Sequence, residues 1–505
     1  MTAMHGVPWA LLVLVWILGA VARAAEGSTA RLNVVFMMAD DLGWGELGCY
    51  GQQKISTPNI DRLAAQGMRF TRHYSGAPVC APSRCVLMTG KHLGHAEIRG
   101  NRQASVDFPQ FNQGQHPISE QAYTLARAFR DAGYATGAMG KWGLGPVGST
   151  GDPNRKGFDL FFGYNCQAVA HSAYPSNLWR NAEVLPVNSK SVPGHARQPE
   201  GEVRVDDWIG ANYAPRLMVD EAVGFIEARK GAPFFLYLPF IEPHVAIHPP
   251  RETVDRFPKE WDPVPYRGQN GYLPHPQPRA GYAAMITELD QHVGRVMAAL
   301  ERHGVADRTL VVFTSDNGTT HPAGANSPFH IGGVDARFFN STAGLRGYKG
   351  SVYEGGIRVP MIVRLPGRIT PGTVNATPGY FADWFPTLCD AAGLEKPPGL
   401  DGVSLWPVMA GGRMDAPAPR KPMIWVFPEY GGQVAVRMGN LKAVRQKLAT
   451  RQPGAWELYD LDRDPAESVN LAALQPAAIR EAEKILRREV SENRVFPVRI
   501  PDVTP

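Results

Sequence analysis

The stretch Leu32-Asn33-Val34-Val35-Phe36-Met37-Met38-Ala39-Asp40-Asp41 is an almost unbroken apolar block that stops on two aspartates. A run of this kind, without polar alternation, suits a strand covered on both faces, as in a parallel sheet. Four later runs share the texture: Tyr134 to Met139, Pro233 to Phe240, Thr309 to Thr314 and Val359 to Val363. Between them lie segments of helical period that stop at glycines: Leu125 to Ala132 before Gly133, Pro215 to Lys230 before Gly231, and Tyr282 to His303 before Gly304. The alternation predicts an α/β domain with helices on both sides of the sheet. Polar residues follow the strands: Asp40-Asp41, then Gly140-Lys141-Trp142, Glu242-Pro243-His244 and Ser315-Asp316-Asn317-Gly318. Open α/β sheets bind ligands outside the carboxyl ends of their strands, so these residues are expected to meet on one rim.

The 505 residues, 44% hydrophobic and 20% charged, describe a globular chain long enough for more than one domain. Residues 1–24 differ from the rest. An apolar run from Ala10 to Ala20 and the small-x-small Ala22-Arg23-Ala24 before Ala25 read as a secretory signal, hence a secreted or periplasmic protein with no membrane attachment after cleavage. The n-region has no Lys or Arg, which leaves an uncleaved anchor as the alternative, although the run is short for a span. Losing Arg23 takes the formal charge from +5 to +4. No basic run with interleaved aromatics points to nucleic acid. Cys49, Cys85, Cys166 and Cys389 are compatible with a disulfide or with buried thiols, and their spacing names no pair.

The main domain is expected over residues 25–420, its last part rich in Pro and Gly with a short helical stretch near Ala382 to Ala392. From residue 421 the texture changes to short strands, Met423 to Phe427, Val434 to Met438 and Glu457 to Leu461, and a charged helix near Ala477 to Val490. This predicts a smaller α+β domain over 421–505.

Chemistry concentrates in two places. Asp40, Asp41, Asp316 and Asn317 offer only oxygen, which suits a hard cation, Ca²⁺ or Mg²⁺. The pentapeptide Cys80-Ala81-Pro82-Ser83-Arg84 puts proline where the first turn of a helix accepts it, so Cys80 would stand at the helix entrance, where free amides favour an anion.

That pentapeptide resembles the type I sulfatase signature C-x-P-S-R, and the resemblance covers most of the chain. Asn33 to Gly43, Thr89-Gly90, Gly140-Lys141-Trp142, Pro243-His244, Ser315-Asp316-Asn317-Gly318 and Glu354-Gly355-Gly356-x-Arg358-Val359-Pro360 occur in family order, as do Glu457-Leu458-Tyr459-Asp460-Leu461, Asp464-Pro465 and Asn470-Leu471. The resemblance implies the alkaline phosphatase-like fold, a large mixed sheet sandwiched by helices with a smaller C-terminal α+β domain. It implies that Cys80 is oxidised by a formylglycine-generating enzyme to an aldehyde that hydrates to a diol. One Ca²⁺ would be held by Asp40, Asp41, Asp316, Asn317 and residue 80. Arg84 and Lys141 would hold and polarise the diol, while His244 and Lys349 would face the sulfate ester, one or the other protonating the departing alcohol. The implied activity is hydrolysis of a sulfated carbohydrate or aryl sulfate by S–O cleavage. A diol suits this task because, once sulfated, it can expel sulfate through its second hydroxyl, splitting one hard step into two.

Expulsion needs a base, and here the chain departs from its family. Many relatives read G-K-W-H-L-G, whereas this chain reads Gly140-Lys141-Trp142-Gly143-Leu144-Gly145. Either another histidine fills the place, with His171 ahead of His92 and His95, or a bound water does. Trp179-Arg180-Asn181 and His171 to Tyr174 either line a sugar subsite or anchor a loop. Substrate choice is expected to reside in Ala168 to Gln198 and Tyr266 to Pro278. Two sequons, at Asn340 and Asn375, matter only in a glycosylating host. Two rival readings remain: a phosphoester or phosphonate hydrolase of the same superfamily, and an inactive relative that binds sulfated polysaccharide.

Overall fold

A computed structural model describes residues 31–322, 330–411 and 421–503. The expected signal at 1–24 and the expected domain boundary at residue 420 lie outside the described residues. The centre is a ten-stranded mixed sheet. Five neighbouring strands in it run parallel, in the order Thr309–Ser315, Asn33–Ala39, Phe234–Pro239, Ala135–Lys141 and Leu160–Tyr164. All seven residues of Asn33–Ala39 are buried. Side chains alternate across a strand, and the alternation divides the core. Val34, Phe36 and Met38 join one cluster with residues of helices Cys80–Thr89, Leu125–Asp131 and Trp384–Ala392. Val35, Met37 and Ala39 join another with helices Pro58–Ala65, Ala214–Arg229 and Pro278–Arg302. The result is the sandwich expected for an apolar strand without a wet face. Each large apolar side chain so buried contributes about 1.5–3 kcal/mol.

The run expected at Val359 to Val363 forms Met361–Arg364, and it pairs antiparallel with Thr309–Ser315. Burial on both faces gives an antiparallel strand the same texture as a parallel one. The strands that complete the sheet beyond those expected are the interior Leu160–Tyr164, the short Met68–Phe70 and Thr373–Asn375, and the edge hairpin Asn177–Arg180 with Glu183–Pro186. Trp179 and Arg180 therefore belong to an edge hairpin, and the Asn181 carboxamide oxygen accepts from the Phe161 amide at 2.8 Å and from Asn154 at 2.9 Å. They anchor the sheet. The four described cysteines other than Cys80 are all free thiols. No helix among the described residues is long and apolar enough to cross a membrane.

The C-terminal strands Met423–Phe427, Gln433–Met438, Leu441–Gln446 and Glu457–Asp460 form an antiparallel sheet. One face carries Ile424, Val426, Val434 and Val436 against Ile479, Ala482 and Leu486 of helix Pro476–Glu489. The other face sends Trp425, Phe427 and Tyr459 into the same cluster as Phe36 and Trp384. Leu441–Gln446 contributes Lys442, fully buried between two carboxylates. Its ammonium lies 3.0 Å from Glu354 and, at ion-pair distance but off the hydrogen-bond direction, 2.9 Å from Glu467. Glu467 also accepts the Glu354 amide at 2.7 Å, so the triad ties the C-terminal sheet to the Glu354 turn beside the site. Lys442→Met would leave Glu467 without its cation and Glu354 with only Arg358, at 3.6 Å, as an ion-pair partner. The expected cost is about 3–5 kcal/mol, measured as a lower midpoint in denaturant; an unchanged midpoint would show that the triad does not hold the two parts together.

Candidate active site

Residues from five segments meet at the carboxyl rim. Asp40 and Asp41 leave strand Asn33–Ala39, Asp316 and Asn317 leave Thr309–Ser315, and Lys141 is the last residue of its strand. His244 follows Phe234–Pro239, and Cys80 opens helix Cys80–Thr89 after an extended Val79. Lys141 ends its strand because Gly140 precedes it. At Gly140, φ is +141° and a Cβ would stand 2.0 Å from the Pro239 carbonyl oxygen, so only glycine lets these strands lie side by side.

The cluster is dry and charge-balanced, with three carboxylates against three cations. Lys141 bonds Asp40, and Lys349 reaches Asp41 at 2.8 Å. Arg84 reaches Asp316 at 2.8 Å, Asp40 at 3.3 Å and the Lys141 carbonyl. The Arg84 guanidinium thus binds the carboxylates and the Lys141 backbone beside Cys80. Cys80 Sγ is 3.5 Å from Asp40, 3.5 Å from Lys141 Nζ and 3.6 Å from Lys349 Nζ. Burial opposes ionisation of Asp40, but Lys141 above all holds its carboxyl far below the usual range. Burial, then the Asp40 charge, lifts Asp316 to about 6. Burial and the same charge push the Cys80 thiol up, so it is a poor source of thiolate.

Asn317 donates to Asp41 at 2.7 Å, while its carboxamide oxygen is buried with no hydrogen-bond partner. Ligand atoms of Asp40, Asp41, Cys80 and His244 all lie within 4.8 Å of one another. An oxygen-rich set with an orphaned carbonyl oxygen fits a hard divalent cation. Such an ion would leave the balanced cluster with a surplus of positive charge, which an anionic ester neutralises.

His244 Nε2 lies 3.5 Å from Asp41, and its Nδ1 bonds the Val245 carbonyl, which can only accept. Nδ1 therefore carries a proton. Burial, then Lys349, keeps the ring neutral. His171 is brought here too, because strand Leu160–Tyr164 pairs with Ala135–Lys141 and the chain turns back over the rim. Its ring stacks on His244 at 5.1 Å. His92 and His95 gather instead around Asp401, His95 at 3.0 Å, in a cluster of their own.

The backbone at the place of the family histidine disfavours a side chain. Gly143 has φ +84°, and a Cβ on it would lie 2.6 Å from Nε2 of Gln167, whose buried Nε2 has no partner. Gln167 was not foreseen, because nothing in its own neighbourhood marks it.

The Sulfatase family model matches residues 32–394, and that of the N-sulphoglucosamine sulphohydrolase C-terminal region matches 347–495. The chain belongs to the sulfatase family. Mouse steryl-sulfatase is 32% identical over 434 residues, covering 75% of this chain and 65% of that protein. Dog N-acetylgalactosamine-6-sulfatase is 30% identical over 452 residues, covering 86% and 75%. This sulfatase-family chain thus spans about two thirds to three quarters of the length of these relatives. The crystal structure of Ps i-CgsB superposes with a TM-score of 0.73 at 25% identity, covering 92% of this chain and 94% of that one. The architecture is the alkaline phosphatase-like one.

Two outcomes are expected. Gly143→His, made to restore the family residue, should lower rather than raise kcat/KM and cost about 1–2 kcal/mol, since a side chain is forced into left-handed backbone; a gain in turnover would overturn this. Ca²⁺ at a hundredfold excess over its Kd should stabilise the protein by about 2.7 kcal/mol at pH 7.5. The stabilisation should shrink at pH 5, because the raised Asp316 carboxyl is protonated below about 6 and ion affinity falls with pH through that value. A thermal midpoint indifferent to Ca²⁺ and EDTA at both pH values would sink the cation site.

Proposed function

We propose that this chain is an exported sulfatase that hydrolyses sulfate esters, those of sulfated carbohydrates foremost and aryl sulfates in addition. The working group is the formylglycine diol made from Cys80 by a formylglycine-generating enzyme, beside one bound Ca²⁺. The observation that carries the reading is the position of Cys80, buried at the helix entrance between the ammonium groups of Lys141 and Lys349. A thiol kept protonated there is a weak nucleophile, whereas an aldehyde hydrate presents oxygens to the same two cations.

Asp40, Asp41, Asp316 and Asn317 would hold the ion together with residue 80, and when bound it would neutralise the oxygens of the ester. The remaining steps belong to the chain's own side chains. Lys141, fixed by Asp40, orients and polarises the residue 80 hydroxyls. Arg84 keeps Asp40 and Asp316 in place. Lys349, held charged by Asp41 despite burial, carries the proton for the departing alcohol. His244 stands beside it, its Nε2 3.5 Å from Asp41. Preference for a sugar is supported by the N-acetylgalactosamine-6-sulfatase relatives and by the aromatic wall of Tyr272 and His195, whose rings stack at 4.4 Å.

Matched aryl sulfate and aryl phosphate esters test the reaction, and the mass of the peptide holding residue 80 tests the group. Sulfate should be released well ahead of phosphate, with that peptide about 18 Da lighter than its thiol form. Faster phosphate release would assign the chain to the phosphoester and phosphonate hydrolases. An unmodified Cys80 with no release, but retention on sulfated polysaccharide, would make it a binding protein.

A further inference from the structure

The two loops expected to govern substrate choice meet over His244. Ala196 donates its amide to the Tyr272 carbonyl at 3.2 Å, and Gln198 donates to Arg267 at 3.1 Å. Across this junction runs a chain of three groups. The Tyr272 backbone N–H donates to His195 Nδ1 at 3.1 Å, and His195 Nε2 lies 3.0 Å from His171 Nδ1. His171 in turn stacks on His244 with ring planes 11° apart.

A backbone N–H can only donate, so His195 Nδ1 is an acceptor and carries no proton. A neutral imidazole has one proton, which must then sit on His195 Nε2. Burial lowers the pKa of both His195 and His171, consistent with neutral rings. His195 Nε2–H therefore donates to His171 Nδ1, and the single proton of His171 is left on Nε2. The reverse direction would require His195 to lack both ring protons. His171, stacked on His244, thus carries its proton on Nε2.

We propose that His195 is a positioning residue that locks His171 as an Nε2–H donor to an oxygen of the bound ester, and so excludes His171 as the base that expels sulfate. This rests on the sulfatase reading for the identity of the ester but not for the proton positions. The Tyr272 amide holds the His195 ring beside His171.

The test is two-bond ¹H–¹⁵N spectroscopy of the Ca²⁺-loaded full chain labelled at histidine, with the His171 signal assigned from H171Q. His171 should show a protonated Nε2 and a bare Nδ1; a protonated Nδ1 would overturn the proposal. In H195A the His171 signal should move toward a mixture of tautomers and kcat/KM should fall about 10- to 100-fold, the range for loss of a side chain that orients a reacting group. H195Q keeps an N–H donor at the same reach and should recover most of that loss. A tautomer and rate unmoved in H195A would also refute it. Because the spectrum is read without turnover, the expected tautomer in a protein that releases no sulfate would defeat the sulfatase reading alone.

Discussion

Three carboxylates and three cations packed in a dry rim are the constraint on which the rest of this protein depends. Asp40, Asp41 and Asp316 are buried together, and like charges at that range cannot all be ionised unless cations stand among them. Lys141, Arg84 and Lys349 supply those cations from three different segments. Each must arrive at the right depth, which explains features that otherwise look unrelated. Gly140 lets the Lys141 strand run to the rim, the helix starting at Cys80 carries Arg84 one turn further on, and the Glu354 turn that follows Lys349 is pinned by Lys442 and Glu467.

The same constraint links stability to chemistry. A cluster whose charges only just balance is poised to accept both a divalent cation and an anion, and its orphaned Asn317 oxygen is a cost that ligation would remove. The C-terminal sheet takes part through packing. One of its faces shares the large core, with Trp425 and Tyr459 beside Phe36 and Trp384, so the shape of the rim and the docking of that sheet are set together.

Much of this was legible in the chain. The central strands showed as apolar runs because both faces are buried, and the site residues showed because each run ends on something polar. Short strands such as Met68–Phe70 escaped, since three residues carry no period. Leu441–Gln446 escaped because Lys442 and Arg445 disguise a half-buried strand. The sequence pointed to the residues of the site but not to their bonds: Arg84 binds Asp40, Asp316 and the Lys141 carbonyl.

By itself the sequence determined the α/β core, the acidic and basic residues at the strand ends, and the helix-opening Cys80, because covalent neighbours dictate burial pattern and turn chemistry. Only the tertiary structure decided what replaces the missing histidine at Gly143. Gly143 takes a left-handed turn beside the end of Gln167, and His171 reaches the rim from a separate segment. Which nitrogen of His171 bears a proton depends on His195 and on the backbone of Tyr272, groups far apart in the chain. A tautomer is set by what a ring touches, and those contacts exist only once two loops have met.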